Sequence, residues 1–216
     1  MSYKIPVLTT GEIYHIYNRS LQKIPIFGQR RNCLHFLDSI EYYLQNNPPV
    51  KFSKFCENKS KYKIDLQNPI ATLITFNLMP NHFHFILRQE KENGILKFMQ
   101  KTENSFSHYF NIRNENKGPL FESTFRAVHV GSDEQLLHLS RYIHLNPVTA
   151  FLVNKPEDYE FSSYNYYLGK TKSNMIDSSV VIDQFKSIAD YQTFVNNRID
   201  YQRKLARIRD LLLEEF

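Results

Sequence analysis

The chain has 216 residues, 42% of them hydrophobic and 14% aromatic, which is enough for a buried core and excludes a disordered chain. Its formal net charge of +5 favours an anionic partner. The two cysteines, Cys33 and Cys56, are too few for a disulfide framework and lack the C-x-x-C spacing of a zinc site. No apolar run reaches membrane-spanning length and Met-Ser-Tyr-Lys-Ile-Pro at the N-terminus holds no signal core, so a cytoplasmic protein without membrane contacts is expected. The cations cluster. Arg19, Lys23, Arg30 and Arg31 share an acid-free window, Lys51 to Lys63 holds five lysines against Glu57, and Arg198 to Arg209 holds five basic residues against Asp200. The 14 tyrosines and 17 phenylalanines are interleaved among them, a pattern that serves either a core or the stacking of bases.

In chain order, Glu12 to Asn18 alternates and is β-branched or aromatic, which predicts a first strand. Cys33 to Leu44 carries a helical apolar face that Asn46-Asn-Pro-Pro49 stops. Lys51 to Asn68 reads as a polar surface connector. Strand Ile70 to Leu78, a turn at Pro80-Asn81 and strand His82 to Arg88 form a hairpin. Gly94 to about Arg113 is an amphipathic helix ended between Asn114 and Gly118. Leu120 to Val130 alternates and predicts a strand. The order strand, helix, strand, strand, helix, strand is that of an antiparallel α+β, ferredoxin-like (βαββαβ) domain, with both helices on one sheet face and the other face open.

Alternate residues of a strand share a face, so His82 and His84 point one way and Phe83 and Phe85 the other. A metal-ligand pair is geometrically possible there. Ser132-Asp-Glu-Gln135 is a capping box that opens a helix over Gln135 to Asn146, which Pro147 is expected to end. On it His138, Tyr142 and Asn146 make one polar stripe at spacings of four, while Leu136, Leu139 and Ile143 make the packing face. By spacing alone, Tyr142 suits an amphipathic boundary and Asn146 a helix C-cap. Such a helix end can also lie over the histidine pair. Past Gly169 to Ser179, a polar loop, Ala189 to Phe216 reads as one long helix with a basic middle.

Tyr-Asn-Arg (17–19), Met-Pro-Asn-His-Phe-His (79–84), Gly-Pro-Leu-Phe-Glu (118–122), Arg-Tyr-Ile-His-Leu-Asn-Pro-Val (141–148) and Tyr-Glu-Phe-Ser-Ser-Tyr (159–164) together resemble the REP-associated tyrosine transposases. These are single-tyrosine HUH transposases of the insertion-sequence type. The resemblance runs from about Tyr14 to Leu168; a lone His-x-His says little, whereas the ordered set is specific. It implies a transposase domain of the HUH-endonuclease type over residues 1–168 with a helical extension over 169–216. It further implies His82 and His84 as ligands of a divalent metal, Mg²⁺ or Mn²⁺, Asn146 as a third, oxygen ligand, and Tyr142 as the nucleophile that forms a 5′-phosphotyrosine. The implied partner is single-stranded DNA bearing hairpins of the repetitive extragenic palindromic (REP) type, acted on by a monomer or homodimer.

A free tyrosine titrates near ~10, and His138, one turn before Tyr142, is a candidate to take its proton. Arg19, Arg113, Lys117 and Arg126 are candidate phosphate contacts. The chain departs from many relatives at Ser20, where they have Gly, and near Thr124, where they have a basic residue. Two other readings fit the residues: a non-catalytic single-stranded nucleic-acid-binding module, and a metal-dependent phosphodiesterase in which water attacks.

Overall fold

Four strands form one antiparallel sheet in the order β2-β3-β1-β4, with β1 at Ile13–Arg19, β2 at Ala71–Met79, β3 at His82–Gln89 and β4 at Arg126–His129. The computed structural model describes residues 5–214, with side chains through residue 207. Helices α1 (Arg30–Leu44) and α3 (Gly94–Asn114) cover one face. Tyr14, Ile16, Phe83, Phe85 and Leu87 point into that core with Phe36, Phe98 and Phe106, which is the alternation predicted for the hairpin. A bulge between Leu73 and Thr75 in β2 switches which residues face which side. Leu73, Phe76 and Leu78 therefore join the first core, and Ile74 joins a second.

The second core covers part of the other face and leaves the end that carries His15, His82 and His84 open. Helices α4 (Asp133–Thr149), α5 (Tyr164–Tyr167), α6 (Ser179–Ile182) and α7 (Ile188–Asn196) pack Leu136, Ile143, Leu145, Tyr164, Tyr167, Val181, Tyr191 and Val195 against Ile74 and Ile86. Helix α8 (Ile199–Glu214) lies along α4. The expected single helix over 189–216 is thus two, broken at Asn197-Arg198; the side chains beyond residue 207 lie outside the described residues, as do Met1–Lys4 at the N-terminus. The connector at 51–68 contains a short helix, α2 (Phe52–Glu57), pinned by Phe52 and Phe55 against Tyr42. The strand expected over 120–130 is confined to β4, because Leu120, Phe121 and Phe125 turn into the first core. That preceding stretch is instead fastened to the end of β1, with Leu21 N donating to Leu120 O (2.8 Å) and Glu122 N to Arg19 O (3.0 Å).

Helix α4 begins as its sequence predicts. Ser132 Oγ accepts from Gln135 N (3.2 Å), Gln135 Oε1 accepts from Gly131 N (2.9 Å), and Asp133 and Glu134 sit in the first turn, where the helix dipole favours acids. Pro147 does not end it. A proline inside a helix leaves the carbonyl four residues back without a donor. Here that carbonyl, Ile143 O, accepts from the buried Asn77 Nδ2 on β2 (3.1 Å), so the helix runs on to Thr149. Asn77 is the register partner of His84, and its amide fixes α4 to the strand pair that carries the histidines. Asn77→Ala should destabilise the fold by about 1–3 kcal/mol through the orphaned carbonyl. In a Pro147→Ala background the restored N–H takes the carbonyl, and the double variant should lose about 1 kcal/mol less than the sum of the single ones in urea unfolding. Strictly additive losses would show that Asn77 does not substitute for the missing amide.

His144 is fully buried on the same helix. Its Nδ1 pairs with Tyr191 Oη (2.8 Å) and its Nε2 with Ser163 Oγ (2.7 Å); Ser163 Oγ in turn accepts from Phe76 N (2.9 Å). The motif at 159–164 thereby closes the free edge of β2, where Leu78 N also donates to Phe161 O (2.9 Å) and Ser163 N to Phe76 O (2.9 Å). Burial lowers the His144 pKa to about 3, while an unfolded histidine takes its proton near ~6.5. Between those values the unfolded chain binds more protons, so stability is complete above the upper one and is lost as pH falls toward the lower. His144→Gln should make the fall in unfolding free energy between about pH 6 and 4 shallower by about one proton. An unchanged slope would assign the acid sensitivity elsewhere.

Candidate active site

Between the open sheet face, the end of α4 and α8 lies a cleft of about 1090 Å³. Side chains of β1 (His15, Tyr17, Arg19) and β3 (His82, His84) form its floor, β4 contributes Arg126 and Val128, α4 contributes Tyr142, Asn146 and Thr149, and α8 contributes Gln202, Leu205 and Ala206. Of the residues singled out in the sequence, the fold brings together His82, His84, Tyr142, Asn146, Arg19 and Arg126. The Tyr142 ring meets the His84 ring edge-on at a centroid distance of 6.0 Å and is 43% exposed.

His138 is placed elsewhere. Its Nδ1 accepts from Arg141 Nη2 (2.6 Å) and its ring meets Phe194 of α7 at 6.0 Å, so it does not line the cleft. The stripe of three therefore splits: four residues of helix advance 400°, and two such steps rotate His138 away from Asn146. Arg113 stands over the Tyr109 ring at 5.7 Å at the far end of α3, and Lys117 is exposed beyond that helix; neither lines the cleft.

One cleft side chain stands outside the residues singled out in the sequence. His15, on β1, pairs through Nε2 with His84 Nδ1 at 2.9 Å, and the two rings stack at 5.1 Å. The signal was the alternation of β1 itself, which puts His15 and Tyr17 on the face opposite Tyr14 and Ile16 and next to β3. Glu122 and Ser123 also line the cleft. Asn18 holds that loop from behind, donating through Nδ2 to Ser123 O (3.0 Å) and to Glu103 Oε1 of α3 (2.9 Å).

Burial lowers the pKa values of His15 and His82 to about 4, with Arg19 adding to the effect at His82. Burial first, then His15, His82 and Arg19, holds His84 well below the ordinary value. All three imidazoles are neutral at neutral pH and can offer lone pairs. His82 Nδ1 lies 2.6 Å from Asn81 Oδ1, an atom that only accepts, so the proton is on Nδ1 and the lone pair on Nε2. For His84 the same tautomer follows if Nδ1 donates to His15. Orientation of one ring nitrogen by a partner, leaving the other free, is how metal-binding histidines are prepared. Among the described residues no three His, Cys, Asp or Glu side chains are grouped to hold a metal. The donor set here is instead two imidazoles and a carboxamide, and the Asn146 Nδ2 is buried without a hydrogen-bond partner. Its carboxamide is therefore not tied to another side chain through nitrogen, and two imidazoles with a carboxamide fit a divalent ion with open positions.

No protein of curated function matches the chain. Residues 53–146 match the profile of the family described as IS200-like transposases, a span that contains both histidines of β3, Tyr142 and Asn146. The chain is similar in fold to a solved structure described as a REP-associated tyrosine transposase bound to a REP hairpin, with a TM-score of 0.56 and 12% identity over 82% of this chain and 98% of that one. No helix among the described residues is long and apolar enough to cross a membrane. Over residues 53–146, which hold the histidine pair and Tyr142 together, the chain is similar to the IS200-like transposases.

Proposed function

We propose that the protein cuts and rejoins hairpin-bearing single-stranded DNA with Tyr142 as the nucleophile. The observation that carries this reading is the placement of an accessible phenol against the His84 ring, in one cleft with His82 and Asn146. His82 Nε2, His84 Nε2 and the Asn146 carboxamide would hold a divalent ion such as Mg²⁺ or Mn²⁺. The chemistry supplied there is Lewis-acid polarisation of a phosphate oxygen. Arg19 and Arg126 flank the floor and bind the strand through its phosphates.

The phenol oxygen of Tyr142 attacks phosphorus, an O–P bond to tyrosine forms, and the bond from phosphorus to the 3′-oxygen breaks. The phenol proton goes to solvent and the departing 3′-oxygen takes one up, leaving a 5′-phosphotyrosine and a free 3′-OH. Attack by another 3′-OH reverses these bonds, so no nucleotide cofactor is consumed. Strand partners of the REP-hairpin type are supported by the description of the fold relative, which is bound to one.

The test is incubation of the protein with end-labelled hairpin DNA and Mn²⁺ or Mg²⁺, followed by denaturing electrophoresis. A metal-dependent adduct that survives SDS is expected. Binding without any cleavage, across hairpins taken from the gene's own flanks, would make the protein a binding module.

A further inference from the structure

We infer that Phe151, backed by Arg203 and Arg207, is a stacking shelf for a base of single-stranded DNA beside the catalytic cleft. This rests on the strand-transfer reading above. Helix α4 ends in a tight turn in which Phe151 N donates to Val148 O (3.2 Å) and Leu152 N to Pro147 O (2.9 Å). The residue just past such an end takes the left-handed conformation, and glycine or asparagine is usual there. Phe151 occupies it at φ +56°, where a bulky side chain is strained. Its ring is nevertheless not put away in a core: 46% of the residue is exposed.

Two guanidinium groups of α8 stand at that ring, Arg203 at 5.8 Å and Arg207 at 5.6 Å from its centroid. Arg203 is itself held, donating to Val153 O (3.1 Å) and Asn154 Oδ1 (3.2 Å). On the adjacent face of α8, Gln202, Leu205 and Ala206 line the cleft, as do Thr149 and Ala150 immediately before Phe151. Phe151 thus follows directly in the chain on the cleft wall formed by Thr149 and Ala150. A half-exposed aromatic residue with cations at its ring, one of them held in place, is what a splayed single strand engages, through base stacking and phosphate neutralisation without sequence readout.

The experiment measures binding of a fluorescein-labelled oligothymidylate of roughly twelve nucleotides to the full chain in EDTA, where no strand is cut. Wild type is compared with Phe151→Gly, Phe151→Leu and Phe151→Tyr, with thermal unfolding of each alongside. The Gly and Leu variants should bind about tenfold more weakly and the Tyr variant as wild type, while Phe151→Gly unfolds no earlier than wild type because glycine suits the left-handed backbone. Wild-type affinity in the Gly and Leu variants overturns the shelf. So does a binding loss matched by an equal fall in unfolding temperature in both variants, which makes Phe151 a clamp for α8. A wild-type chain that does not hold the oligonucleotide at all overturns the shelf, whereas the strand-transfer reading stands or falls with the adduct on hairpin DNA.

Discussion

Tyr142→Phe is expected to lower DNA cleavage by at least about a thousandfold and to abolish the covalent adduct, because it deletes the attacking atom and nothing else. The ring stays in place against His84, and the lost hydroxyl belongs to a side chain 43% exposed, so the unfolding free energy should shift by no more than about 0.5 kcal/mol. Loss of chemistry without loss of fold is the signature. The cleft offers one competitor, since the Tyr17 ring also lies near His84, at 5.8 Å. Tyr17 is fixed on the central strand β1, between β3 and β4, whereas Tyr142 reaches in from a helix opposite the floor. Tyr17→Phe should therefore keep the adduct. An adduct that persists in Tyr142→Phe and disappears in Tyr17→Phe would reverse the assignment, and cleavage that persists in Tyr142→Phe without any adduct would identify water as the nucleophile.

The parts of the fold that follow from local alternation were legible in the sequence. His82 to Arg88 alternates cleanly, so its two faces could be assigned, and Ser132 to Gln135 marks a helix start whose hydrogen bonds are those its residue types require. What failed did so where a distant group intervened. Pro147 reads as a stop until Asn77, seventy residues earlier, supplies the missing donor. Leu120 to Val130 has strand alternation throughout, yet most of it pairs only with the end of β1 and the turn after it, because its phenylalanines are drawn into the core. The break at Asn197-Arg198 carries no glycine or proline, and it delivers α8 to the cleft wall. His15 escaped notice because a lone histidine in a strand is ordinary; only the pairing of β1 with β3 gives it a partner. His138 was misleading for the opposite reason, since spacings of four place it near Tyr142 in sequence while the packing of α7 on α4 claims its ring.

Replacing the histidines should separate metal binding from strand binding. His84→Ala and His82→Ala are each expected to weaken Mn²⁺ binding, measured by titration followed by electron paramagnetic resonance, by at least about a hundredfold, since each removes one of only three protein donors. Oligonucleotide binding in EDTA should change little, because the proposed phosphate contacts are Arg19, Arg126 and the α8 side of the cleft. His15 makes the sharper test. It touches His84 and is not itself among the three proposed donors, so His15→Phe keeps a stacked ring but removes the nitrogen that pairs with His84 Nδ1. Loss of such an orienting partner weakens metal binding by about 10- to 100-fold. His15→Gln, which retains an acceptor, should recover part of that affinity, whereas a merely steric role would be better served by the aromatic replacement. Equal Mn²⁺ affinity in wild type and His15→Phe would mean that the His84 tautomer is set without its neighbour, and that the third imidazole in the cleft serves packing alone.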